Sequence, residues 1–227
     1  MMGIIQRALI LVLLLFSTSA HAQWLLPINA PSRTSCAGIQ LTSIGAFGLV
    51  RKARVGIPAH LHTGIDIKRP HDNYVSESIY PAANGTVISL RDDGPFAQII
   101  IEHDSFQGTR YWTVYEHIAD IQCTLGQRVT YQDTIARFFS RQELNKYGWQ
   151  FDHLHFEIMK EAPIPVKPQP HLPNLRYKTY ALTCYSRSSL DKRMVDPLPF
   201  LESFFAQRNV HNDNERHASL LMGSYRR

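Results

Sequence analysis

His153-Leu154-His155-Phe156-Glu157-Ile158-Met159 alternates polar and apolar side chains with a period of two. Side chains leave a β-strand on alternate faces, so His153, His155 and Glu157 are expected on one face and Leu154, Phe156 and Ile158 on the other. Two imidazoles then point the same way from a stiff element whose opposite face needs a core. The segments before it read similarly. Gly85–Leu90 is a short strand entered through Ala82-Ala83-Asn84, and Arg91–Pro95 is a turn. Phe96–His103 and Arg110–Ile118 are two further strands, joined by an Asp104–Gly108 loop of hairpin length. In the latter, Tyr111, Thr113, Tyr115 and His117 are predicted to share a face, with Trp112, Val114 and Ile118 on the other. Gly126–Val129 opens another turn and strand, and Thr134–Phe138 is a strand after it. The fold class is mainly β.

After Lys160 the character changes. Pro163, Pro165, Pro168, Pro170 and Pro173 mark an extended insertion over 162–174 that cannot join a sheet interior. Tyr177–Cys184 is a candidate strand. Asp196-Pro197 followed by Leu198–Ala206 predicts a short C-terminal helix with an N-cap and proline at its first position. Residues 208–227 form a polar tail. The main domain is set at 43–207, preceded by a segment over 23–42.

Residues 1–22 read as a secretory leader: Arg7, an apolar run from Ala8 to Phe16, and small residues at Ala20 and Ala22 that fit cleavage after Ala22. The apolar run is too short for a stable span, and no later stretch approaches the roughly 20 apolar residues a span needs. The mature chain is therefore expected to have no membrane span and to be periplasmic or secreted. Arg7 is the only Lys, Arg, Asp or Glu in the leader, so the whole chain's net +5 falls by one on its removal. Such a modest excess, with no long basic run, gives nucleic acid no support as a partner. In an oxidising compartment, Cys36, Cys123 and Cys184 predict one disulfide and one leftover thiol, with the pairing open.

The chemistry lies in His62-Thr63-Gly64-Ile65-Asp66, in Tyr115-Glu116-His117 and in the strand quoted first. Gly64 allows the backbone to turn or crowd, so His62 and Asp66 can converge. With His155 they make a two-histidine, one-carboxylate set suited to Zn2+, leaving one tetrahedral position for water. His117 and His153 are then free for proton transfer, and spacing does not decide which is the general base. Any one of these histidines alone would read as an ordinary buried or surface residue. Five groups at these spacings favour a metal site. His60 is a possible supporting or alternative ligand; His71, His103, His171, His211 and His217 read as structural or exposed.

At these residues the chain resembles the M23 family of LytM- or lysostaphin-type zinc metallopeptidases, the peptidoglycan endopeptidases. The matching pieces are Gly45-Ala46-Phe47-Gly48, His62–Asp66, Pro81–Val87, Val114–Ile118 and His153–Glu157, covering about Ser43 to Lys160, with Val195-Asp196-Pro197 resembling the family's closing segment. The resemblance implies zinc held by His62, Asp66 and His155, with His117 and His153 as the catalytic histidines. It implies an antiparallel β-sheet metallopeptidase domain with an open groove for a peptidoglycan peptide, cut at a stem cross-link or an interpeptide bridge. Phe139–Tyr147 and Phe151-Asp152 depart from the family's glycine-rich entry to the second histidine word, and the proline-rich insertion is unusual. These loops wall the groove and bear on bond choice. A non-catalytic wall-binding or hydrolase-regulating module on the same scaffold is the alternative, and a regulatory protein partner is compatible with either. A non-haem iron oxygenase also uses two histidines and a carboxylate, but export and the extra histidines argue against it.

Overall fold

The computed structural model describes residues 23–207. The predicted leader, 1–22, and tail, 208–227, including His211 and His217, lie outside the described residues. The strands in chain order are β1 (Val50–Arg51), β2 (His60–Leu61), β3 (Ile65–Lys68), β4 (Ser78–Ile79), β5 (Gly85–Arg91), β6 (Gln98–His103) and β7 (Trp112–Glu116). They continue with β8 (Ile118–Ala119), β9 (Arg128–Val129), β10 (Ala136–Phe138), β11 (His153–Met159), β12 (Ile164–Pro165), β13 (Tyr177–Lys178) and β14 (Met194–Val195). Among the described residues the α-helices are α1 (Arg141–Tyr147), α2 (Arg187–Arg193) and α3 over 197–207.

The main sheet runs β14-β11-β7-β6-β5-β9, with β3 also paired to β11, and its pairs are antiparallel. One edge of β11 lies along β7, while its other edge is divided: β3 pairs with residues 153–156 and β14 with 158–159. Directly opposed residues on neighbouring strands project to the same side of a sheet. The register His155↔Asp66 therefore places the two side chains together.

Both faces of the sheet are covered. Ile99, Ile101, Tyr115, Leu154, Phe156 and Ile158 enter a larger core with Ile65 and Ile67, while Ile100, Trp112, Val114 and Met159 meet Leu190 and Met194 on the opposite face. Burying a side chain such as Phe156 stabilises the fold by roughly 1.5–3 kcal/mol. The segment over 23–42 lends Trp24, Leu26 and Ile28 to the larger core, and α3 adds Leu201 and Phe205.

Several elements differ from the sequence reading. The strand predicted over Arg110–Ile118 is shorter: β7 spans Trp112–Glu116, and His117 beyond it has φ 63°. This left-handed residue breaks the period-two phase, so Ile118 joins Tyr115 in the larger core and not Trp112 and Val114. Phe139–Tyr147 is no loop but largely helix, because Ser140 accepts from the Glu143 N–H and Glu143 reaches back to the Ser140 N–H, a capping box. Of Tyr177–Cys184 only Tyr177 and Lys178 are strand, paired with Ile164 and Pro165 outside the main sheet. The expected disulfide is absent: Cys36, Cys123 and Cys184 are free thiols, Cys123 and Cys184 buried. Asp196 does cap α3, its carboxylate accepting from the Leu198 N–H at 3.2 Å.

Candidate metal centre

Four elements build the site. His62 follows β2, Asp66 lies on β3, His153 and His155 lie on β11, and His117 follows β7. The His62 backbone is fixed from both sides, its N–H donating to Leu49 and its carbonyl accepting from Gly48. At Gly64 a Cβ would stand 2.2 Å from the Phe156 carbonyl oxygen. Only glycine lets this turn lie against β11, so the expectation of backbone crowding at Gly64 holds.

His62 Nε2, Asp66 Oδ1 and His155 Nδ1 converge: the two nitrogens are 3.0 Å apart, and Asp66 Oδ1 is 3.0 Å from His62 Nε2 and 2.9 Å from His155 Nδ1. All three residues are buried. Two imidazole nitrogens at that distance need a cation or a shared proton between them. Two nitrogens and a carboxylate oxygen in one buried triangle fit the donor set of a zinc site. Each residue is also held from behind. The His62 Nδ1–H donates to the Ala46 carbonyl at 3.0 Å, Arg51 Nη2 donates to Asp66 Oδ2 at 2.6 Å, and His155 Nε2 is 3.0 Å from Glu157 Oε1. These partners settle which atoms face inward.

The electrostatics reflect the crowding. Burial favours protonated Asp66, but hydrogen bonds from His155 and His62 outweigh it and hold the carboxyl far below the usual range. Burial opposes the charged form of His155 too, yet the hydrogen bonds to Asp66 and Glu157 push it up to about 10. A cation at Nδ1 would take the place of that proton. Burial lowers His62 and His117, and lowers His153 to about 3 with His117 and His155 adding repulsion.

His117 and His153 stand beside the trio, their ring centroids 4.9 Å apart, and His153 Nε2 is 3.6 Å from Asp66 Oδ1. The His117 Nδ1–H donates to the Pro95 carbonyl at 2.7 Å, which leaves Nε2 as an acceptor. The rings of Phe151 and Phe96 flank His117 at 4.9 and 5.9 Å. All five residues singled out in the sequence are thus brought together. His60 is not among them: its Nδ1 is spent on the Pro58 carbonyl at 2.8 Å. Nor is His103, buried against Asn84 and Thr113. The sequence reading missed Arg51 and the support given by Thr63 and Glu157. Glu157 was accessible to it, being in strand phase with His155.

A buried two-histidine, one-carboxylate triangle with two neutral histidines beside it, set in an antiparallel sheet, defines a metal-hydrolase type of site. Residues 60–168, which include all five, match the model of peptidase family M23, and the match supports an M23-type peptidase. No curated protein matches the chain. Similar solved structures include a zinc-containing peptidase from Vibrio cholerae, 26% identical over 60% of this chain and 37% of that one, with a TM-score of 0.41. Lysostaphin from Staphylococcus simulans is 17% identical over 74% and 51% of the two chains, with a TM-score of 0.44. LytU is 25% identical over 55% and 76%, with a TM-score of 0.39. The chain thus spans about a third of the Vibrio cholerae protein and half of lysostaphin.

Proposed function

We propose that this protein is an exported zinc-dependent endopeptidase that hydrolyses peptide bonds in peptidoglycan, at a stem cross-link or an interpeptide bridge. The observation that carries this reading is the convergence of His62 Nε2, Asp66 Oδ1 and His155 Nδ1 within about 3 Å, with His117 and His153 alongside. His62, Asp66 and His155 would hold the metal. Bound zinc supplies Lewis acidity, bringing the pKa of water down to about 7 and polarising the scissile carbonyl. Hydrolysis sends the water oxygen to the acyl carbon and a proton to the departing amine, so one group must take a proton and one must deliver it. Neutral His117, with Nδ1–H tied to Pro95, presents Nε2 as an acceptor. His153 stands close enough to share the traffic, and its low pKa keeps it neutral at physiological pH. The rings of Phe96 and Phe151 pack beside His117.

Export rests on the leader over 1–22, and the modest positive charge is compatible with an anionic wall polymer. The domain reading is a peptidase domain over 43–207 with a supporting segment at 23–42. The test is incubation of the protein, purified from its full-length gene, with peptidoglycan sacculi and zinc, beside a His155→Ala control, reading released fragments by mass spectrometry. Zinc-dependent fragments absent from the control are expected, and their masses name the bond. One bound zinc per chain without any fragments would overturn the peptidoglycan assignment.

A further inference from the structure

Glu157 has no exposed surface and takes no part in the chemistry above. Its Oε1 accepts from His155 Nε2–H at 3.0 Å and also from the Thr63 hydroxyl, whereas Oε2 is buried with no hydrogen-bond partner. A buried carboxylate that leaves one oxygen unsatisfied is unfavourable for folding, and such departures concentrate at functional sites. The backbone fixes the contact. Glu157 lies one residue beyond the last β3 pair, Phe156↔Ile65, and a Cβ at Gly64 would stand 3.0 Å from Glu157 Cγ. The Gly64 turn is therefore pressed against β11 just where Thr63 reaches the carboxylate. Among the described residues, His155 alone of the three candidate ligands has an acidic side chain behind it, and that side chain is itself oriented by Thr63 from the other histidine word.

We propose that Thr63 and Glu157 act as a buried hydroxyl–carboxylate pair that positions His155, holding its Nε2 proton, turning Nδ1 toward His62 and Asp66, and so setting the affinity for zinc. This inference rests on the zinc reading of the site, and not on which bond is cut. Carboxylates behind metal-bound histidines fix ring orientation and ligand basicity, and their loss weakens metal binding by roughly 10- to 100-fold. In Glu157→Gln the amide oxygen can still accept one hydrogen bond, but the negative charge is gone. In Thr63→Val the carboxylate stays and its orienting donor is removed; in Thr63→Ser the donor is kept.

The experiment is competition for zinc against a chromophoric chelator, using the protein purified from its full-length gene, with thermal melts of the metal-free proteins in parallel. The zinc Kd is expected to rise roughly 10- to 100-fold in Glu157→Gln and several-fold in Thr63→Val, and to stay within two-fold of the unmodified protein in Thr63→Ser. Metal-free melting temperatures should not follow that order. The visible spectrum of the cobalt-substituted protein should shift in Glu157→Gln and Thr63→Val and stay unchanged in Thr63→Ser. If Glu157→Gln does not fold, the Thr63 pair decides alone. Unchanged zinc affinity in Thr63→Val, equal weakening in Thr63→Val and Thr63→Ser, or no zinc binding by the unmodified protein would each overturn the proposal. Ordered zinc affinities with no fragments released from sacculi would leave the positioning pair standing and remove the peptidoglycan reading.

Discussion

His117 occupies φ 63° without being glycine, a region that costs other residues of order 1–3 kcal/mol. The strain turns the imidazole out of strand phase and into reach of the Pro95 carbonyl. His117→Ala and His117→Gly should both lower peptide hydrolysis by roughly 10²- to 10⁴-fold while keeping zinc, and the glycine variant should be the more stable by about 1 kcal/mol in urea titrations. Equal stabilities would show that the backbone is not strained there. A second titratable residue bears on stability alone. Full burial pushes His103 down to about 4, against about 6.5 in an unfolded chain. The unfolded chain then binds the extra proton between those values, so stability is complete above pH 6.5 and declines as pH falls toward 4, by about 3 kcal/mol in all. His103→Gln should flatten that part of the pH dependence in denaturant melts, and an unchanged slope would assign it to other groups. His62, Asp66 and His155 were legible in the sequence because their spacing and strand phase carry the information. The orientation of His117 was not, because period-two alternation fails at a left-handed residue whose conformation is tied to a carbonyl 22 positions away. Arg51 was equally hidden, since its ion pair with Asp66 depends on the β1–β2 pairing and on no local pattern.

At the scale of elements, the division of one β11 edge between β3 and β14 makes the Gly64 turn the point where the two histidine words are held in register. Gly64→Ala would drive a methyl group into the Phe156 carbonyl, a backbone atom that cannot swing aside. It should cost about 3 kcal/mol or more in urea melts and abolish stoichiometric zinc binding; a variant with normal stability and metal content would mean the turn can relax. Helix α1 stands on its cap. Ser140→Ala should cost about 1 kcal/mol, measurable as a lower denaturation midpoint, while Ser140→Asp should recover most of it. The seven residues of α1 and of α2 are too few to display a 3.6-residue period. The Ser140-x-x-Glu143 capping box and the Ser186 cap are the local sequence signs of these helices. The long strands were legible because their apolar faces are continuous.

Across the whole molecule, the first described residues and the last are clasped together. Trp24 is 2% exposed and packs edge-on against Phe200 of α3 with centroids 4.8 Å apart, and His103 lies 4.9 Å from it. Trp24→Ala should lower unfolding free energy by about 3–5 kcal/mol, read by urea denaturation, and should loosen α3 before the sheet in hydrogen exchange; protection lost evenly would mean the clasp is not a separate unit. A segment read as preceding the domain thus supplies part of its core, which local composition could not announce, because Trp24, Leu26 and Ile28 are too few to mark an element. The three cysteines are spread over this same body, and burial pushes the thiols of Cys36 and Cys123 up to about 11 and raises that of Cys184 as well. At pH 7 a thiol with a pKa of 11 is ionised in only about one molecule in ten thousand, against a few per cent for an ordinary thiol. The thiolate is the species that reacts with oxidants and foreign disulfides, so burial slows the reaction of Cys36 and Cys123 with either.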